Sequence, residues 1–313
     1  MPKKQTTNHI LMIRPTNFRM NDQTAVNNFY QQTSNVATAA EMQAKALQEF
    51  NKLVEKLKNC GCNVIVIDDL PASTSPDSIF PNNWISFHQE GDVVMYPMFA
   101  ENRRTERREE VLDVLEDAGF VIENIMDYTD AELEKVFLEG TGSMVLDRVN
   151  KNAYCALSQR SDEELFIEFC EDFDYNPVVF TAYQTVNGKR EKIYHTNVMM
   201  SVGEKFAVIC IDAIDDTQER RNVLNQLRQS GKEIILITEQ QVNCFAGNML
   251  EIKGKDNESI IVLSETAYNA LTALQKNQLQ KFASLVYSDI NTIEKYGGGS
   301  VRCMMAEVFL PKM

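Results

Sequence analysis

The feature that most constrains the fold of this 313-residue chain is a loose internal repeat of strand, strand, helix and strand. The pattern recurs at roughly 55 residues, a period typical of solenoids and ring-shaped arrays. Its clearest copy has predicted strands at residues 84–87 and 93–96, joined by a turn that contains glycine. A predicted helix at residues 106–118 follows, Gly119 closes it, and a strand is predicted at residues 120–122.

The two ends of the chain decide between a ring and an open array. The first unit has a predicted strand at residues 10–13, a helix from about Ala37 to Lys58 and a strand at residues 63–67. The last predicted strand, residues 305–310, is expected to return to this first unit. Apolar strands without polar caps at both ends favour a closed ring. The pattern alone leaves an ordinary open α/β sheet as an equal alternative.

Composition and charge exclude several classes of partner. The net charge of −14 argues against nucleic-acid and anionic-membrane partners. No apolar run approaches the ~18 residues of a membrane span. Because no linker divides the chain, we predict a single domain over residues 1–313, with residues 1–8 flexible. The cysteines and histidines lack zinc-site spacing, so we expect reduced thiols, a cytoplasmic location and neither metal nor cofactor.

Cys303 alone among the seven cysteines has surroundings that suit chemistry. It closely follows three glycines at residues 297–299, which permit a close approach of the backbone. The preceding Arg302 offers positive charge that would favour a thiolate. The alternative is a flexible loop before a final strand with an inert buried cysteine. The choice depends on partners for the thiol elsewhere in the chain.

Four polar segments supply such partners. They are residues 76–84, residues 138–143, residues 194–197 and the glycine run that ends at Cys303. Three of the four directly precede a predicted strand that opens a repeat. Equivalent positions of a pseudo-symmetric ring converge near its axis, so a thiol, an imidazole and a carboxylate are expected to meet there.

These segments, in this order, resemble those of the guanidino-group-modifying superfamily of arginine deiminases, dimethylarginine hydrolases and amidinotransferases. The resemblance extends from Arg14 to Cys303 and so covers most of the chain. It implies an α/β fold of the pentein type, a five-bladed β/α propeller with pseudo-fivefold ββαβ repeats. It also implies a small-molecule amino-acid substrate. The sequence does not show the oligomeric state, and a homodimer stays open.

The resemblance assigns a role to each catalytic position. Cys303 matches the nucleophile and His195 matches the general acid/base. Glu139 matches the carboxylate that contacts the substrate nitrogen or steadies the histidine. Arg160 matches the arginine that holds the substrate carboxylate, a role suited to its two-pronged guanidinium.

Three further residues are weaker candidates for substrate binding. Arg104 is a candidate second clamp for the substrate carboxylate, with Arg107 as the alternative on the same stretch. A solvated helix start is the favoured explanation for both arginines. Asp77 either holds the substrate amine or caps a turn.

Two asparagines depart from the pattern of the arginine deiminases. That group has aspartates, which bind the cationic guanidinium, where this chain has Asn83 and Asn197. A buried carboxylate is costly unless a cation neutralises it, whereas an asparagine NH₂ donates to a neutral ureido carbonyl. The site therefore resembles the citrulline-utilisation branch of the superfamily. Turn formation is the alternative explanation for each asparagine.

We therefore predict a cysteine-dependent hydrolase of non-peptide C–N bonds that converts citrulline to ornithine, carbon dioxide and ammonia through a covalent Cys303 intermediate. One alternative is a deiminase of arginine or methylarginine, or an amidinotransferase. Another is a catalytically silent propeller that acts as a binding module. A complete set of Cys303, His195 and Glu139 argues against the silent module, because binding alone needs none of them.

Overall fold

The computed structural model describes residues 3–31, 38–70 and 74–313. In chain order its strands are β1 (His9–Arg14), β2 (Asn63–Asp68), β3 (Ile85–Phe87), β4 (Asp92–Met95), β5 (Asn124–Asp127), β6 (Met144–Asp147), β7 (Asn152–Ala156), β8 (Asn176–Phe180), β9 (Tyr183–Val186), β10 (Lys189–Lys192), β11 (Met200–Val202), β12 (Phe206–Ile209), β13 (Glu233–Leu236), β14 (Leu250–Lys253), β15 (Ser259–Ser264), β16 (Ser284–Ser288) and β17 (Ala306–Glu307).

Helices connect these strands. The α-helices are α1 (Ala39–Asn59), α2 (Glu110–Asp117), α3 (Gly140–Ser143), α4 (Glu163–Asp172), α5 (Thr196–Met199), α6 (Thr217–Gln229), α7 (Glu239–Val242), α8 (Glu265–Ala270), α9 (Ala273–Gln280) and α10 (Asn291–Gly297). Short 3₁₀ helices include Pro81–Asn83, Glu101–Glu106 and Val301–Met304. No helix of the described residues is both long and apolar enough to cross a bilayer.

Five three-stranded sheets share one strand arrangement. Their orders are β17-β1-β2, β3-β4-β5, β6-β7-β8, β11-β12-β13 and β14-β15-β16. In each sheet the first two strands are antiparallel and the last two are parallel. A separate hairpin, β9-β10, stands outside them. The α/β class is thus confirmed. Among the described residues each sheet stays open, and the five remain separate rather than forming one continuous sheet.

Helix α1 illustrates how the parallel pairs arise. Parallel neighbours need a crossover connection, and α1 provides it between β1 and β2. The side chains of Thr38 and Glu41 form a capping box at its start. Its buried face includes Phe50 and Leu57, at the predicted helical spacing. The predicted first residue, Ala37, lies outside the described residues.

The second unit corrects two predicted boundaries. The helix predicted at residues 106–118 begins later, as α2 at Glu110, and Glu106 is instead the last residue of the 3₁₀ helix Glu101–Glu106. The strand predicted at residues 120–122 begins later, as β5. The reason is a competing partner, since Phe120 forms a bridge with Lys312 and the N–H of the next residue donates to the carbonyl of Pro311.

Both chain ends contribute to the core. The expected return of the C-terminal strand is confirmed, because β17 pairs antiparallel with β1. Residues 1–8 were predicted to be flexible, but Gln5, Thr6 and Thr7 are buried. The Nε2 group of Gln5 donates to the carbonyls of Leu146 and Val202, at 2.9 and 3.2 Å. Gln5 therefore links the third and fourth sheets.

We expect the substitution Gln5→Ala to destabilise the fold by about 3 kcal/mol. The two carbonyls and the N–H of Arg148, which donates to Gln5 Oε1 at 2.8 Å, would lose their partner. Each buried polar group left unpaired costs about 1–3 kcal/mol. Urea unfolding measures the change, with Gln280→Ala at an exposed helix position as the control. Equal stability of the two variants would contradict this link.

Candidate active site

A small cavity collects side chains from distant parts of the chain. Predicted site residues form a large part of its wall. Those that line it are Asp77, Asn83, Arg160, His195 and Cys303, together with Asn28, Phe80, Arg103, Tyr194, Gly297 and Gly299. The structure therefore brings the Cys303 thiol and the His195 imidazole to one cavity.

The strand topology explains why these residues meet. Each of the five sheets has a short turn before its first strand. These turns carry Asn83 before β3, Glu139 before β6, His195 before β11, Asn248 before β14 and Cys303 before β17. First strands of several neighbouring sheets contact one another, as β11 does with β6 and β14. The turns in front of them consequently converge.

Glu139 does not itself line the cavity, but it forms a buried hydrogen bond with His195, which does. The distance between His195 Nε2 and Glu139 Oε2 is 2.7 Å, and both side chains are buried. The other carboxylate oxygen of Glu139 accepts the backbone N–H of Phe99 at 3.0 Å. Arg160 Nη1 lies 3.5 Å from Oε2 and Arg103 Nη1 lies 4.0 Å from it. The carboxylate is thus held behind the imidazole by donors and cations.

These neighbours determine both protonation states. Burial opposes ionisation of Glu139, but Arg160, His195 and Arg103 together lower its pKa to about 2. Burial lowers the pKa of His195 to about 4, although Glu139 acts in the opposite direction. At neutral pH an ionised Glu139 can only accept, so Nε2 of a neutral His195 carries the proton. Its Nδ1 is then free to accept a proton.

Gly142 must be a glycine because the site closes tightly around it. A Cβ at this position would lie 2.4 Å from Nδ2 of Asn83 and 2.8 Å from Nδ1 of His195. Neither neighbour is a flexible chain end, since both are buried side chains of the site. Gly142, three residues after Glu139 in the sequence motif, therefore lets the imidazole and the amide approach each other.

Amide groups, rather than a cation, contact the thiol. Nδ2 of Asn248 lies 3.3 Å from Cys303 Sγ, and Nδ2 of Asn197 lies 3.5 Å from it. The guanidinium of Arg302, expected to favour the thiolate, instead bonds to Glu307 at 3.0 Å and to the carbonyl of Met305 at 2.9 Å. Asn197 therefore lies against the sulfur. It does not line the cavity in which the sequence predicted it to bind substrate.

Arg103 determines which way the amide of Asn83 faces. Its Nη1 donates to Asn83 Oδ1 at 2.8 Å, while Nε and Nη2 donate to Glu106, each at 2.9 Å. A guanidinium has no acceptor, so Asn83 must present its oxygen to Arg103. The NH₂ group is then directed away, with one donation to Asn82 Oδ1 at 3.1 Å.

Arg160 and Asp77 lie at the part of the cavity next to residues 21–31. The guanidinium of Arg160 lies over the ring of Tyr194, 4.7 Å from its centroid, and donates to Asn27 and to the carbonyl of Thr24. Oδ2 of Asp77 accepts from Asn21 at 2.8 Å. Its Oδ1 has no hydrogen-bond partner within the described part of the chain. Burial raises the pKa of Asp77, against the effect of Arg103.

The structure does not bring Arg104 to the cavity. Its Nε lies 3.2 Å from Glu132 and donates to the carbonyl of Met98. Arg107 pairs with the same glutamate. The preceding residue, Arg103, lines the cavity instead. Residues 101–106 form a 3₁₀ helix, so neighbouring side chains point in different directions, and the sequence alone did not show which arginine faces inward.

Sequence reasoning also missed Asn248 and Tyr194. Tyr194 directly precedes the predicted His195, so the same segment contained its signal. Asn248 precedes β14 as His195 precedes β11, and a search for the equivalent position in the fifth unit would have found it. No cluster of histidine, cysteine and carboxylate side chains among the described residues could hold a metal ion.

A family model of eukaryotic N,N-dimethylarginine dimethylhydrolase matches residues 14–310 of the chain. No curated protein sequence matches the chain. Among solved structures, the chain is similar to ArgZ, an arginine dihydrolase from the ornithine-ammonia cycle in cyanobacteria. The TM-score is 0.74 at 17% identity, and the match covers 97% of this chain and 41% of ArgZ. The chain thus spans about two-fifths of full-length ArgZ.

Two further structures match over nearly their whole length. The N-terminal domain of ArgZ, a cysteine-to-serine mutant bound to substrate, has a TM-score of 0.72 at 16% identity, with coverage of 96% of this chain and 99% of that domain. A dimethylarginine dimethylaminohydrolase, in an adduct with S-methyl-L-thiocitrulline, has a TM-score of 0.62 at 16% identity, with coverage of 96% and 99%. At these identities the structural likeness concerns the fold.

We expect His195 to titrate at about pH 4 instead of 6.5. Its lowered folded-state pKa means that the unfolded chain binds more protons between these values. The stability due to neutral His195 is then complete above about pH 6.5 and declines as the pH falls towards 4. NMR titration of the imidazole protons, assigned with His195→Gln, measures this midpoint. A midpoint near 6.5 would contradict the burial argument.

Proposed function

Because the chain belongs to the N,N-dimethylarginine dimethylhydrolase family, whose activity is hydrolysis of guanidino C–N bonds, we propose that it is a hydrolase of ureido or guanidino amino acids with citrulline as its substrate. The orientation of Asn83 carries the choice of citrulline. Arg103 accounts for the carbonyl of this amide, so Asn83 offers a hydrogen-bond donor near His195. A ureido oxygen needs a donor, whereas a guanidinium needs acceptors.

The charge of the cavity supports a neutral reacting group. Its lining residues include two cations, Arg103 and Arg160, and one carboxyl group, Asp77. A second guanidinium placed beside Arg103 would be repelled, because buried like charges interact strongly. Citrulline brings no charge to this part of the site.

The amino-acid end of the substrate has two matching groups. We assign the substrate carboxylate to Arg160, whose guanidinium bonds to Asn27 and Thr24 would be exchanged for it. The substrate ammonium group is assigned to Asp77 Oδ1, an oxygen that no described residue partners with a hydrogen bond. A buried acceptor left open in this way is costly unless a ligand completes it.

The reaction begins from the neutral pair of Cys303 and His195. Nδ1 of His195 takes the thiol proton as Sγ attacks the ureido carbon. His195 then gives the proton to the departing nitrogen, which releases ornithine and leaves a carbamoyl thioester. Water, deprotonated by His195, attacks this thioester. Cys303 leaves with the proton, and the carbamate decomposes to carbon dioxide and ammonia. Glu139 holds the imidazole throughout.

A guanidino substrate is the second candidate. The family name refers to dimethylarginine, and the similar ArgZ structures are described as those of an arginine dihydrolase. The same steps on arginine would release ammonia first and leave citrulline as product or intermediate. The two candidates differ in the group that lies beside Asn83, a ureido oxygen in citrulline or a guanidinium in arginine.

The finer architecture is also proposed. Five sheets of the same order, with converging turns and a shared sheet for both chain ends, support five blades around one axis. The cytoplasmic location and the homodimer remain predictions.

We expect purified protein to form ornithine from L-citrulline and to act poorly on L-arginine and dimethylarginine. Amino-acid analysis with ammonia determination measures the products. Cys303→Ser removes the nucleophile and should reduce the rate at least about a thousandfold. Citrulline formed from arginine, with citrulline itself untouched, would overturn the choice of substrate and favour the second candidate.

Asn83→Asp should lower kcat/KM for citrulline by about a hundredfold, because an acceptor replaces the donor to the ureido oxygen. Its effect on a guanidino substrate should be smaller or opposite. The matched control is Asn82→Asp, which keeps the oxygen that accepts from Asn83 and lies outside the lining residues. Equal losses for both substrates would contradict the donor role.

Gly142→Ala should abolish at least about 99% of the activity, since its Cβ would separate Asn83 from His195 and misplaced catalytic groups lose about a hundredfold in rate. Gly188→Ala is the control for activity, because no atom of the described residues lies within 4 Å of a Cβ there; its φ of 79° makes alanine cost some stability but adds nothing to the site. Steady-state kinetics and thermal melts of both variants make the comparison. Full activity of Gly142→Ala would contradict the close approach.

A further inference from the structure

Asn248 occupies, in the fifth sheet, the position at which the other sheets present residues of the candidate site. It lies in the turn before β14 and is fully buried. The proposed mechanism gives it no role. Its side chain nevertheless makes three polar contacts, all with the segments of Cys303 and Asn197.

These contacts determine which way the Asn248 amide faces. The backbone N–H of Arg302 donates to its Oδ1 at 3.0 Å. Nδ2 donates to the carbonyl of Asn197 at 3.0 Å and lies 3.3 Å from Cys303 Sγ. A backbone N–H can only donate, and a carbonyl can only accept, so a flipped amide would lose both bonds. The NH₂ group is therefore held against the sulfur.

We propose that Asn248 stabilises the thiolate of Cys303 and orients Sγ for attack. Hydrogen bonds to a charged acceptor are stronger than those to a neutral one, so the donor favours thiolate over thiol. Asn197 provides a second, longer donor at 3.5 Å. This role rests on Cys303 being the nucleophile of the proposed function, and it is independent of the substrate.

Charged and titratable groups also surround the sulfur. They are Arg302 on its own 3₁₀ helix, Tyr194 and His195 before β11, Asp77 and Arg103 beside the 3₁₀ helix before β3, and Arg160 after β7. Within the described residues only amide groups donate hydrogen bonds to Sγ. Substitution of Asn248 leaves all of the charged groups in the protein. A change in thiol reactivity would therefore report on the amide.

The first test is alkylation of Cys303 by iodoacetamide without substrate, with the modified peptide quantified by mass spectrometry. Asn248→Asp keeps the side-chain shape but removes the donor. We expect the rate at pH 7 to fall at least about tenfold, the effect of one hydrogen bond to a charged group, with an unchanged plateau at high pH. Asn152→Asp is the matched control, a buried β7 residue that donates to Ser230.

Asn248→Ala removes the donor without adding a charge and should give the same fall at pH 7, with an unchanged near-ultraviolet circular dichroism spectrum. An unchanged rate at pH 7 in a folded variant would overturn the proposal. So would an equal fall at pH 7 and at the plateau, which would indicate a structural role. If neither variant folds, NMR of wild-type protein decides, because the Asn248 NH₂ resonances should shift when Cys303 is alkylated.

The outcome is separable from that of the proposed function. Reduced alkylation in the Asn248 variants, with no hydrolysis of any substrate by wild-type protein, would overturn the function and support the role of the amide. Normal hydrolysis of citrulline by wild-type protein, with unchanged alkylation in the folded variants, would support the proposed function and overturn the role of the amide.

Discussion

The rest of the candidate site depends on the hydrogen bonds and ion pairs of the buried Glu139 carboxylate. Removing a charge from water costs several kcal/mol, and the protein offsets this cost with Arg160, His195, Arg103 and the N–H of Phe99. These partners come from different sheets and loops. The ionised carboxylate therefore both orients the imidazole and ties the converging turns together. Loss of one partner would leave a buried charge and typically costs about 3–5 kcal/mol.

Neutral amides provide hydrogen-bond donors in the candidate site. The guanidinium of Arg103 donates to the oxygen of Asn83, which leaves the Asn83 NH₂ for the cavity. The backbone N–H of Arg302 donates to the oxygen of Asn248, which leaves the Asn248 NH₂ for Cys303. In both cases a neighbouring donor determines the direction of the amide. Such an arrangement presents donors without adding formal charge, which suits a neutral ureido group and a developing thiolate.

Much of the fold and part of the site were predictable because they depend on local order along the chain. The apolar period of α1 and the glycine turns predicted helices and strands, and the approximate repeat predicted equivalent units of strand, strand, helix and strand. The sequence singled out Cys303 and His195 because each occurs in a short, unusual segment before a strand, and both line the cavity. The prediction of a strand at residues 120–122 was wrong, because Phe120 forms a bridge with Lys312, a residue distant in sequence. Local patterns contain no information on such a partner.

The sequence by itself determined the repeat, the position of the polar turns and the residue types available for chemistry. Only the tertiary structure decided which arginine faces the cavity, because neighbouring side chains of a 3₁₀ helix diverge and packing selects Arg103 over Arg104. It also placed Asn197 against the thiol and revealed Asn248. The direction of an amide or a guanidinium depends on donors and acceptors that are brought together only when distant units pack. For this reason these contacts could not be deduced from the order of residues.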